Sequence, residues 1–528
     1  MKDVLIIGGG LNGLVAAAVL AKAKLSVTLI DRRPVLGGAC ITGDLGNGFR
    51  VPELSHALGP LSRDVVKALR LDRVAGLEFI TPDPSLTSIG EDGRTLTFHR
   101  DAVLTAAFIN AYSTTDAARW NEFLRTSQRI AAVLTEIDRL APPPIDEAGM
   151  REVWRLMRAG RAARRLTRRD LARLARWLPM SIADVTGEWF ESDALRAAIS
   201  AYAIAGHAAG PRSAGTGSMW LQRMAADPVP VGSGVTARGG PGALAGALAK
   251  IAANAGADLR TDARVARVLT KQGRAMGVAL ADGEEIAARA VLAAIGPKPL
   301  MADLVNPPDL PPSYAQRMRN VRARGVTAKI NLALSALPAF SALGGDVVPL
   351  RGRLLIAPGL DYVERAFDAT KYGEMSERPW LEISIPSVRD NSLAPEGSHV
   401  MSISVHFTPR EVRGTTWNAE RETLWTRVMN VMEPLAPGLG RIIVAREILT
   451  PADLEELWGL AGGHIFHAES TIDQFWAARP LLGWARYRTP ITGLYLAGAG
   501  AHPGGGLTGL LGWLASQAVR HDIKKKQI

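Results

Sequence analysis

A glycine-rich turn between an apolar strand and an alanine-rich helix, close to the start of the chain, is the feature that most constrains the fold. Residues 4–7 (VLII) predict a buried strand, and the glycines of segment 8–13 (GGGLNG) end it abruptly. Helical spacing follows over 14–23, and a second apolar run, 27–30, ends at Asp31. This order predicts strand, tight turn, helix and parallel strand, which is the opening unit of a doubly wound α/β domain.

The glycine spacing in this turn suits a dinucleotide. Gly8 permits the tight turn, Gly10 lets the backbone approach a pyrophosphate, and Gly13 allows the helix to pack closely on the strand. Asp31 is placed to accept hydrogen bonds from a ribose hydroxyl. The spacing alone is a weak signal, but its position between strand and helix favours a dinucleotide site over a chance match.

A second glycine pair separates the two dinucleotides that such a turn can bind. Gly37 and Gly38 stand just beyond Asp31 and are followed by Ala39. Their backbone can approach the ribityl-phosphate part of FAD, whereas a nicotinamide domain has no need of such a pair. An ordinary turn is the alternative interpretation. We therefore predict FAD as the cofactor.

Later breaks in the chain predict that the FAD-binding domain is discontinuous. A glycine-rich break at 238–242 precedes a helix and several strands, among them 258–268, and a last helix is expected to begin near Leu507 after a second glycine-rich turn. The predicted fold class is α/β, with a Rossmann-type, doubly wound FAD-binding domain and an inserted α+β substrate domain. The predicted bounds are 1–75, 229–300 and 478–528 for the FAD-binding domain, and 76–228 and 301–477 for the substrate domain.

The net charge of +11 is concentrated in one basic segment. Ten arginines lie between Arg151 and Arg176, against two acids, and apolar residues are interspersed among them. The spacing in segment 151–178 favours a helix with a core-facing apolar stripe and solvated arginines, and the alternative is a helical surface that contacts a membrane or a partner. Nucleic acid is not expected as a partner, because aromatic and basic residues are not interleaved as stacking platforms require.

Cysteine usage and hydropathy favour a reducing compartment. Cys40 is the only cysteine among 528 residues, so no intramolecular disulfide and no Cys-x-x-Cys pair can form. The chain shows no signal-peptide pattern at its start and no apolar stretch of the length that spans a bilayer. We expect a cytoplasmic protein, with peripheral membrane contact left open.

Sequence islands spread over nearly the whole chain resemble the phytoene desaturase-like FAD-dependent oxidoreductases. The resemblance is closest to the branch called pyridine nucleotide-disulfide oxidoreductase domain-containing protein 2. The islands include the first turn with its glycine pair, the segment 495–509 (YLAGAGAHPGGGLTG), 180–184 with 188–192, 210–213 and 462–467. Together these islands are far more specific than one glycine motif.

The resemblance implies a set of FAD contacts. Val265 would hold the adenine end by its backbone, Gly500 would meet the phosphates, and the helix after Leu507, Thr508 and Gly509 would point its N-terminus at the flavin. The other implied or adjoining cofactor residues are Gly8, Gly10, Leu11, Asn12, Gly13, Asp31, Arg32, Gly37, Gly38, Ala39 and Gly296. Many flavoproteins carry an acid where Gly500 stands, which leaves the ribityl contact in doubt.

The electron acceptor is expected to be oxygen, a quinone or another diffusible molecule. Flavin-mediated disulfide reduction needs two redox cysteines, and this chain has one. No further strand–glycine–helix unit for NAD(P)H is apparent in the sequence.

No pattern identifies a catalytic base. His502, His464 and His467 are the candidates because each lies in or near a glycine-rich loop, and Ser55 and His56 are candidates for the substrate side of the flavin. A structural hydrogen-bonding role is the alternative for each histidine. A metal is not expected, since no third ligand accompanies His464 and His467.

The predicted reaction is dehydrogenation or desaturation of a small or apolar, lipid-like molecule by hydride transfer to flavin N5. An FAD-dependent amine oxidase is the alternative among enzymes. A flavin-binding interaction protein without turnover is the alternative from another class.

Overall fold

The start of the chain forms the predicted strand, turn, helix and strand in the computed structural model, which describes residues 1–142, 160, 163–164 and 166–528. The strands are β1 Lys2–Ile7, β2 Val27–Ile30, β3 Thr42–Asp44, β4 Arg50–Pro52, β5 Phe79–Ile80, β6 Leu86–Ile89, β7 Thr95–Phe98, β8 Thr236–Ala237, β9 Asp258–Arg260, β10 Val265–Lys271, β11 Arg274–Leu280, β12 Glu285–Ala293, β13 Thr327–Leu334, β14 Arg353–Ile356, β15 Leu381–Ser384, β16 His399–His406, β17 Ile443–Leu449 and β18 Leu494–Leu496.

Helices of six or more residues in the described part connect these strands. They are α1 Leu11–Lys22, α2 Arg63–Leu69, α3 Ala102–Asn110, α4 Thr114–Asp138, α5 Arg168–Trp177, α6 Ile182–Gly187, α7 Asp193–Ile204, α8 Thr216–Ala226, α9 Pro241–Asn254, α10 Pro312–Arg319, α11 Leu360–Lys371, α12 Trp417–Met432, α13 Pro451–Glu456 and α14 Leu510–Lys524. Shorter helical turns lie at Pro297–Pro299 and Leu439–Ile442.

The first sheet brings strands from the start, middle and end of the chain together. Five parallel strands lie in the order β18, β12, β1, β2, β9, and the antiparallel hairpin β10–β11 extends the other half of β12. All four residues of β2 and the last four of β1 are buried. Such unbroken apolar runs are typical of parallel strands that are covered on both faces. Helices α9 and α14 both pack against α1.

The second sheet is mixed, and its strands come from residues 86–98 and 327–449. Its order is β17, β13, β16, β15, β14, β6, β7, with β14 and β6 parallel and the other neighbours antiparallel. All eight residues of β13 are buried. A separate core between the helices that precede β8 is rich in aromatic side chains, among them Trp120, Phe123, Trp177 and Trp220.

Two details of the predicted secondary structure were wrong. Segment 258–268, predicted as one strand, contains the two strands β9 and β10, separated by Asp262 in the left-handed region at φ 53°. The last helix begins at Leu510 rather than near Leu507, because Leu507 and Gly509 have φ of 55° and 69°, which a helix cannot accommodate.

The basic segment 151–178 lies partly outside the described residues, which omit 151–159, 161–162 and 165. In its described part, α5 pairs two arginines with acids of the protein. Arg173 lies 3.8 Å from Glu122, and Arg176 pairs with Glu188. Contact of this segment with a membrane stays a prediction. Among the described helices, none combines the length and apolarity needed to cross a bilayer.

Candidate functional site

The carboxyl ends of the parallel strands meet at one edge of the first sheet. Ile7 is in register with Ile30 and with Ala293, and Ala293 is in register with Leu496. The residues that follow each strand therefore gather at this edge, where ligands of open α/β sheets bind. They are the turn 8–13, Asp31, the segment 294–296 and the turn 497–500.

The first turn has the geometry that its glycines predict. Gly8 has φ 99°, and a Cβ atom at Gly13 would lie 2.0 Å from the carbonyl oxygen of Gly8. Gly10 is the N-cap of α1 and offers no side chain to cap the helix. The first amides of α1 therefore remain available for an anionic ligand.

The second glycine pair packs against the first turn. The Gly37 amide donates to the Gly9 carbonyl at 2.8 Å, and a Cβ atom at Gly38 would lie 2.9 Å from Cα of Gly10. Gly37 and Gly38 have φ of 135° and 59°, which glycine tolerates best. Ala39 follows directly. The pair thus extends the glycine surface of the turn 8–13.

Asp31 stabilises the turn 8–13 by accepting a hydrogen bond from the backbone of this turn. Its Oδ2 accepts from the Gly9 amide at 2.6 Å, and its Oδ1 accepts from the Arg33 amide at 2.8 Å. The Arg32 side chain donates to the Glu456 carbonyl at 3.1 Å. Val265 is close by along the chain, since the amide of Ala263 donates to the Asp31 carbonyl at 3.0 Å.

The C-terminal turn packs backbone to backbone on the end of β12. A Cβ atom at Gly498 would lie 1.7 Å from the Ile295 carbonyl oxygen, and one at Gly500 would lie 2.3 Å from Cδ of Pro297. An acidic side chain at position 500 would therefore collide with Pro297. This contact gives a physical reason for the glycine there. Gly296, beside them, lies near the His467 ring.

The two ends of the chain touch at this edge. The Ser62 amide donates to the Thr508 carbonyl at 2.9 Å, and the Gly512 amide donates to Oδ1 of Asn12 at 3.3 Å. Gly509 is the N-cap of α14 and gives it no side-chain cap, although Oγ1 of Thr508 accepts from the Leu510 amide at 3.3 Å. The N-termini of α1 and α14 thus open at neighbouring places.

Comparisons with known proteins agree with this geometry. The family model described as flavin containing amine oxidoreductase matches residues 11–512. The chain belongs to this family. It is 33% identical to mouse pyridine nucleotide-disulfide oxidoreductase domain-containing protein 2, over 99% of this chain and 94% of that one. It is 26% identical to the neurosporene-forming phytoene desaturase of Cereibacter sphaeroides, over 96% and 92% of the two chains.

A solved structure supports the fold of this flavin oxidoreductase. Wild-type putrescine oxidase bound to putrescine superposes with a TM-score of 0.62 at 18% identity and covers 99% of both chains. The predicted family resemblance, the Rossmann-type fold class and the cofactor FAD are therefore confirmed.

The residues at the sheet edge fit FAD. The space over Gly10 is open, since a Cβ atom there would have nothing closer than Cα of Gly38 at 3.9 Å. The N-terminus of α1 has no side-chain cap, which suits a pyrophosphate. Two of the first amides of α14 already donate to Thr508 and Asn12, so α14 would favour the electron-rich edge of a flavin mainly through its helix dipole. The individual FAD contacts assigned from the sequence stay predictions, and the structure places those residues along one edge.

His502 is fully buried and braces the end of a helix. Its Nε2 lies 3.1 Å from the Leu140 carbonyl, just beyond the C-terminus of α4. Burial lowers the pKa of His502 to about 3, so the ring is neutral and donates that hydrogen bond. The position favours the structural alternative over the catalytic one.

His464 and His467 lie in a loop that faces the C-terminal turn. Nδ1 of His464 accepts from the Phe466 amide at 3.1 Å, and burial lowers the pKa of His464 to about 3 and that of His467 to about 4. His467 is the nearer to the cofactor turns, since its carbonyl oxygen lies 3.4 Å from a Cβ position at Gly500. The described residues contain no group of three side chains able to hold a metal ion.

Arg479 connects the loop that contains His464 and His467 to the C-terminal turn. No sequence pattern predicts this role. The side chain is buried and donates to the carbonyls of Ala499 at 2.9 Å, Ala501 at 3.3 Å and Glu469 at 2.6 Å. No ion pair of Arg479 occurs among the described residues. One guanidinium thus fixes the two loops relative to each other.

A buried ionic network joins the segment after β4 to the second sheet. His56 Nε2 lies 2.7 Å from Oε1 of Glu382, and Lys329 Nζ lies 2.7 Å from Nδ1 of His56. Arg353 donates to the other oxygen of Glu382 at 2.9 Å. Of these four residues only His56 was predicted. Lys329 could have been recognised from the sequence because it is a single lysine within the apolar run of β13.

The network shifts the protonation of its members. Burial lowers the pKa of Lys329 to about 7, and burial together with Lys329 lowers that of His56 to about 4. Burial alone would raise the pKa of Glu382, but Arg353 and His56 hold it well below its usual range. A carboxylate, a neutral imidazole and an easily deprotonated ammonium therefore lie side by side. Ser55 is turned to its own segment, donating to the Ala57 carbonyl at 2.5 Å.

A cavity of about 490 Å³ opens beside the C-terminal turn. It lies between the segment 60–63, the C-terminal half of α4, helix α8 and the turn 503–506. Its apolar lining includes Leu61, Ala132, Met219, Met224, Phe466 and Leu510. The cavity therefore adjoins the residues that precede α14, where the flavin edge is predicted.

Proposed function

We propose that this flavoprotein oxidises a small or apolar substrate by accepting a hydride from a substrate C–H bond on the flavin N5 atom. FAD, when bound, supplies the hydride-accepting ring. The protein must position the substrate, exclude water and hold the proton that the substrate releases. The buried network around Lys329 is the observation that carries the proposal.

Lys329 suits the role of proton acceptor. With its pKa near 7, a substantial fraction of the amine is neutral at neutral pH and has a free lone pair. His56 orients the amine through Nδ1, and Glu382 with Arg353 fixes His56. The side chains of His56 and Lys329 are almost fully buried, so bulk water is excluded from the pair.

The network lies close to the C-terminal turn. Gly59, three residues after His56, packs on that turn, since a Cβ atom at Gly59 would lie 2.1 Å from the Gly506 carbonyl oxygen. Three residues can span at most about 11 Å. The backbone of His56, which orients the proposed proton acceptor, therefore lies within about 11 Å of the residue that packs on this turn.

Oxygen, a quinone or another diffusible molecule is the proposed electron acceptor. Cys40, the single cysteine, is buried, and burial raises the pKa of its thiol to about 12, so it supports no thiolate chemistry. Rapid flavin reduction by NADPH under anaerobic conditions would contradict this part of the proposal.

The proposal is tested by anaerobic flavin reduction in the purified holoenzyme. Polyenes and other apolar C–H donors are mixed with the oxidised protein, and loss of the flavin absorbance is followed. Reduction by one such class, followed by reoxidation with oxygen or a quinone, is the expected result. A flavin that no donor class reduces would instead favour a flavin-binding interaction protein.

Amine oxidation is the second candidate, and the family match favours it. The same experiment separates the two, because an amine oxidase reduces its flavin with amines and releases hydrogen peroxide in air. Reduction by amines and not by polyenes would replace the first proposal with the second.

A further inference from the structure

Arg223, on α8, lines the cavity beside the C-terminal turn without a counter-ion from the described residues. One Nη donates to the Ala205 carbonyl, and the guanidinium lies 5.5 Å from the ring centroid of Tyr202 and 5.3 Å from that of Phe466. Two aromatic rings and a carbonyl therefore hold the group in place, and burial lowers its pKa. A guanidinium oriented in this way has unused N–H donors.

None of the described acids that line the cavity pairs with Arg223, and the buried carboxylate of Glu382, which attracts Arg223, is already paired with Arg353. Glu136, in the cavity wall, pairs with Arg139 at 3.3 Å, and Arg139 also pairs at 2.9 Å with Asp64, which does not line the cavity. Asp138 also lines the cavity, but burial raises its pKa to about 8, so it is mostly neutral at pH 7. A partly buried guanidinium that shares its cavity with a mostly neutral acid and apolar side chains is complementary to a monoanion with an apolar body.

We propose that this cavity binds an apolar carboxylate and that Arg223 recognises its charged end. The planar fork of the guanidinium matches the two oxygens of a carboxylate. Leu61, Met219 and Met224 provide the wall for the hydrocarbon part. This assignment rests on the proposed function, because it takes the cavity as the place where the oxidised substrate binds.

The test compares ligands that share one chain and differ in their end group. Octanoate, octan-1-ol and octylamine are titrated calorimetrically into the FAD-saturated holoenzyme at pH 7. Octanoate is expected to bind at least about tenfold more tightly than the alcohol, as for a hydrogen bond to a charged group. Tighter binding of octylamine, or equal binding of octanoate and octanol, would overturn the proposal.

Variants then assign the effect to Arg223. Arg223→Met is expected to lower octanoate affinity to that of octanol and to leave octanol binding unchanged. Arg223→Lys keeps the charge without the planar fork, and we expect it to lose at least about threefold in octanoate affinity. Arg125→Met, an exposed arginine of α4 that does not line the cavity, is the matched control and should bind as the wild type.

Flavin content and thermal unfolding verify that each variant is folded, and Arg223→Lys carries the test if Arg223→Met does not retain FAD. Unchanged octanoate binding in the folded variants would overturn the proposal. Calorimetry detects binding without turnover. A flavin that no donor class reduces would therefore contradict the proposed function and leave the carboxylate site intact, whereas equal binding of octanoate and octanol would overturn the carboxylate site alone.

Discussion

The two sheets contribute to the site in different ways. The first sheet offers backbone and glycine at its carboxyl edge, where Gly8, Gly13 and Gly498 bring chain segments into direct contact. The second sheet offers buried ionisable side chains, joined in the network of Lys329 and Glu382 with His56. The comparison suggests that cofactor binding depends on shape at the first sheet, whereas proton handling depends on electrostatics at the second.

Replacing Gly498 should have the largest effect on cofactor binding at the first sheet. A methyl group at Gly498→Ala would lie 1.7 Å from the Ile295 carbonyl oxygen, so β12 and the C-terminal turn must separate. We expect a loss of stability greater than about 4 kcal/mol and purified protein without FAD. Flavin absorbance and thermal unfolding measure both effects.

Gly246→Ala in α9 is the matched control, because a Cβ atom there has no neighbour within 4 Å. Alanine in a helix interior should stabilise by up to about 1 kcal/mol. A Gly498→Ala protein with full flavin content and ordinary stability would show that steric closure does not govern this edge.

Removing the carboxylate of the network should produce the next largest effect. Glu382→Gln keeps the shape but leaves the buried Arg353 without its counter-charge. We expect a loss of about 3 kcal/mol in the free energy of unfolding, measured by denaturant titration. Glu422→Gln, which breaks the exposed pair with Arg446, should leave stability nearly unchanged. Equal effects of the two substitutions would refute the electrostatic role of the second sheet.

The contrast between the sheets also explains what the sequence could predict. The glycine turns are local patterns, so Gly10, Gly38 and their neighbours were found from spacing within a few dozen residues, and the family resemblance supplied Gly500. The network joins residues that lie 326 and 273 positions apart, and such pairings leave no local pattern. The sequence indicates His56 only as a candidate for the substrate side of the flavin, and it does not indicate which residues pair with this histidine.

The histidine candidates illustrate the same limit. His502 and His464 stand in glycine-rich loops, which made them plausible bases, yet each is fully buried and engaged with backbone groups. Burial depends on the packing of α4 and of the loop held by Arg479, which residue types in one segment do not reveal. The catalytic assignment of these histidines stays a prediction, whereas Lys329 has the chemistry that the proposal needs.

Replacing Lys329 tests proton handling at the second sheet through the rate of flavin reduction. Lys329→Met should slow anaerobic flavin reduction by about 100-fold, as for loss of a general base. In the wild type the rate should rise as pH increases through about 7, because the amine must lose its proton before it can accept another. Stopped-flow absorbance across this range should show the rise, and the variant should lack it.

Lys371→Met, at an exposed lysine paired with Asp368, is the control for this rate. It should retain both the wild-type rate and its pH dependence. A pH profile that survives in Lys329→Met would assign the titration to another group and remove Lys329 from the proposed mechanism.

Replacing Asp138, which lines the cavity, should have the smallest effect on stability, and that effect should depend on pH. Its folded pKa of about 8 lies above its unfolded value, so the folded protein holds a proton that the unfolded chain releases. Stability should therefore fall as pH rises from about 4 to about 8 and stay level above that range. Asp138→Asn should leave the stability unchanged at pH 4 and raise it by about 2 kcal/mol at pH 8, which is less than the full linkage value because the side chain is partly exposed to solvent.

Denaturant titrations at the two pH values measure this difference, with Glu122→Gln, an exposed acid on the same helix, as the control. Burial without a partner is what makes the carboxyl group unfavourable when ionised, since its Oδ1 has no hydrogen-bond partner among the described residues. A loss of stability in Asp138→Asn at pH 8 would mean that the ionised group is favourably paired in the folded protein. The cavity that contains Arg223 would then also contain a negative charge, and its preference for an anionic ligand would lose its electrostatic basis.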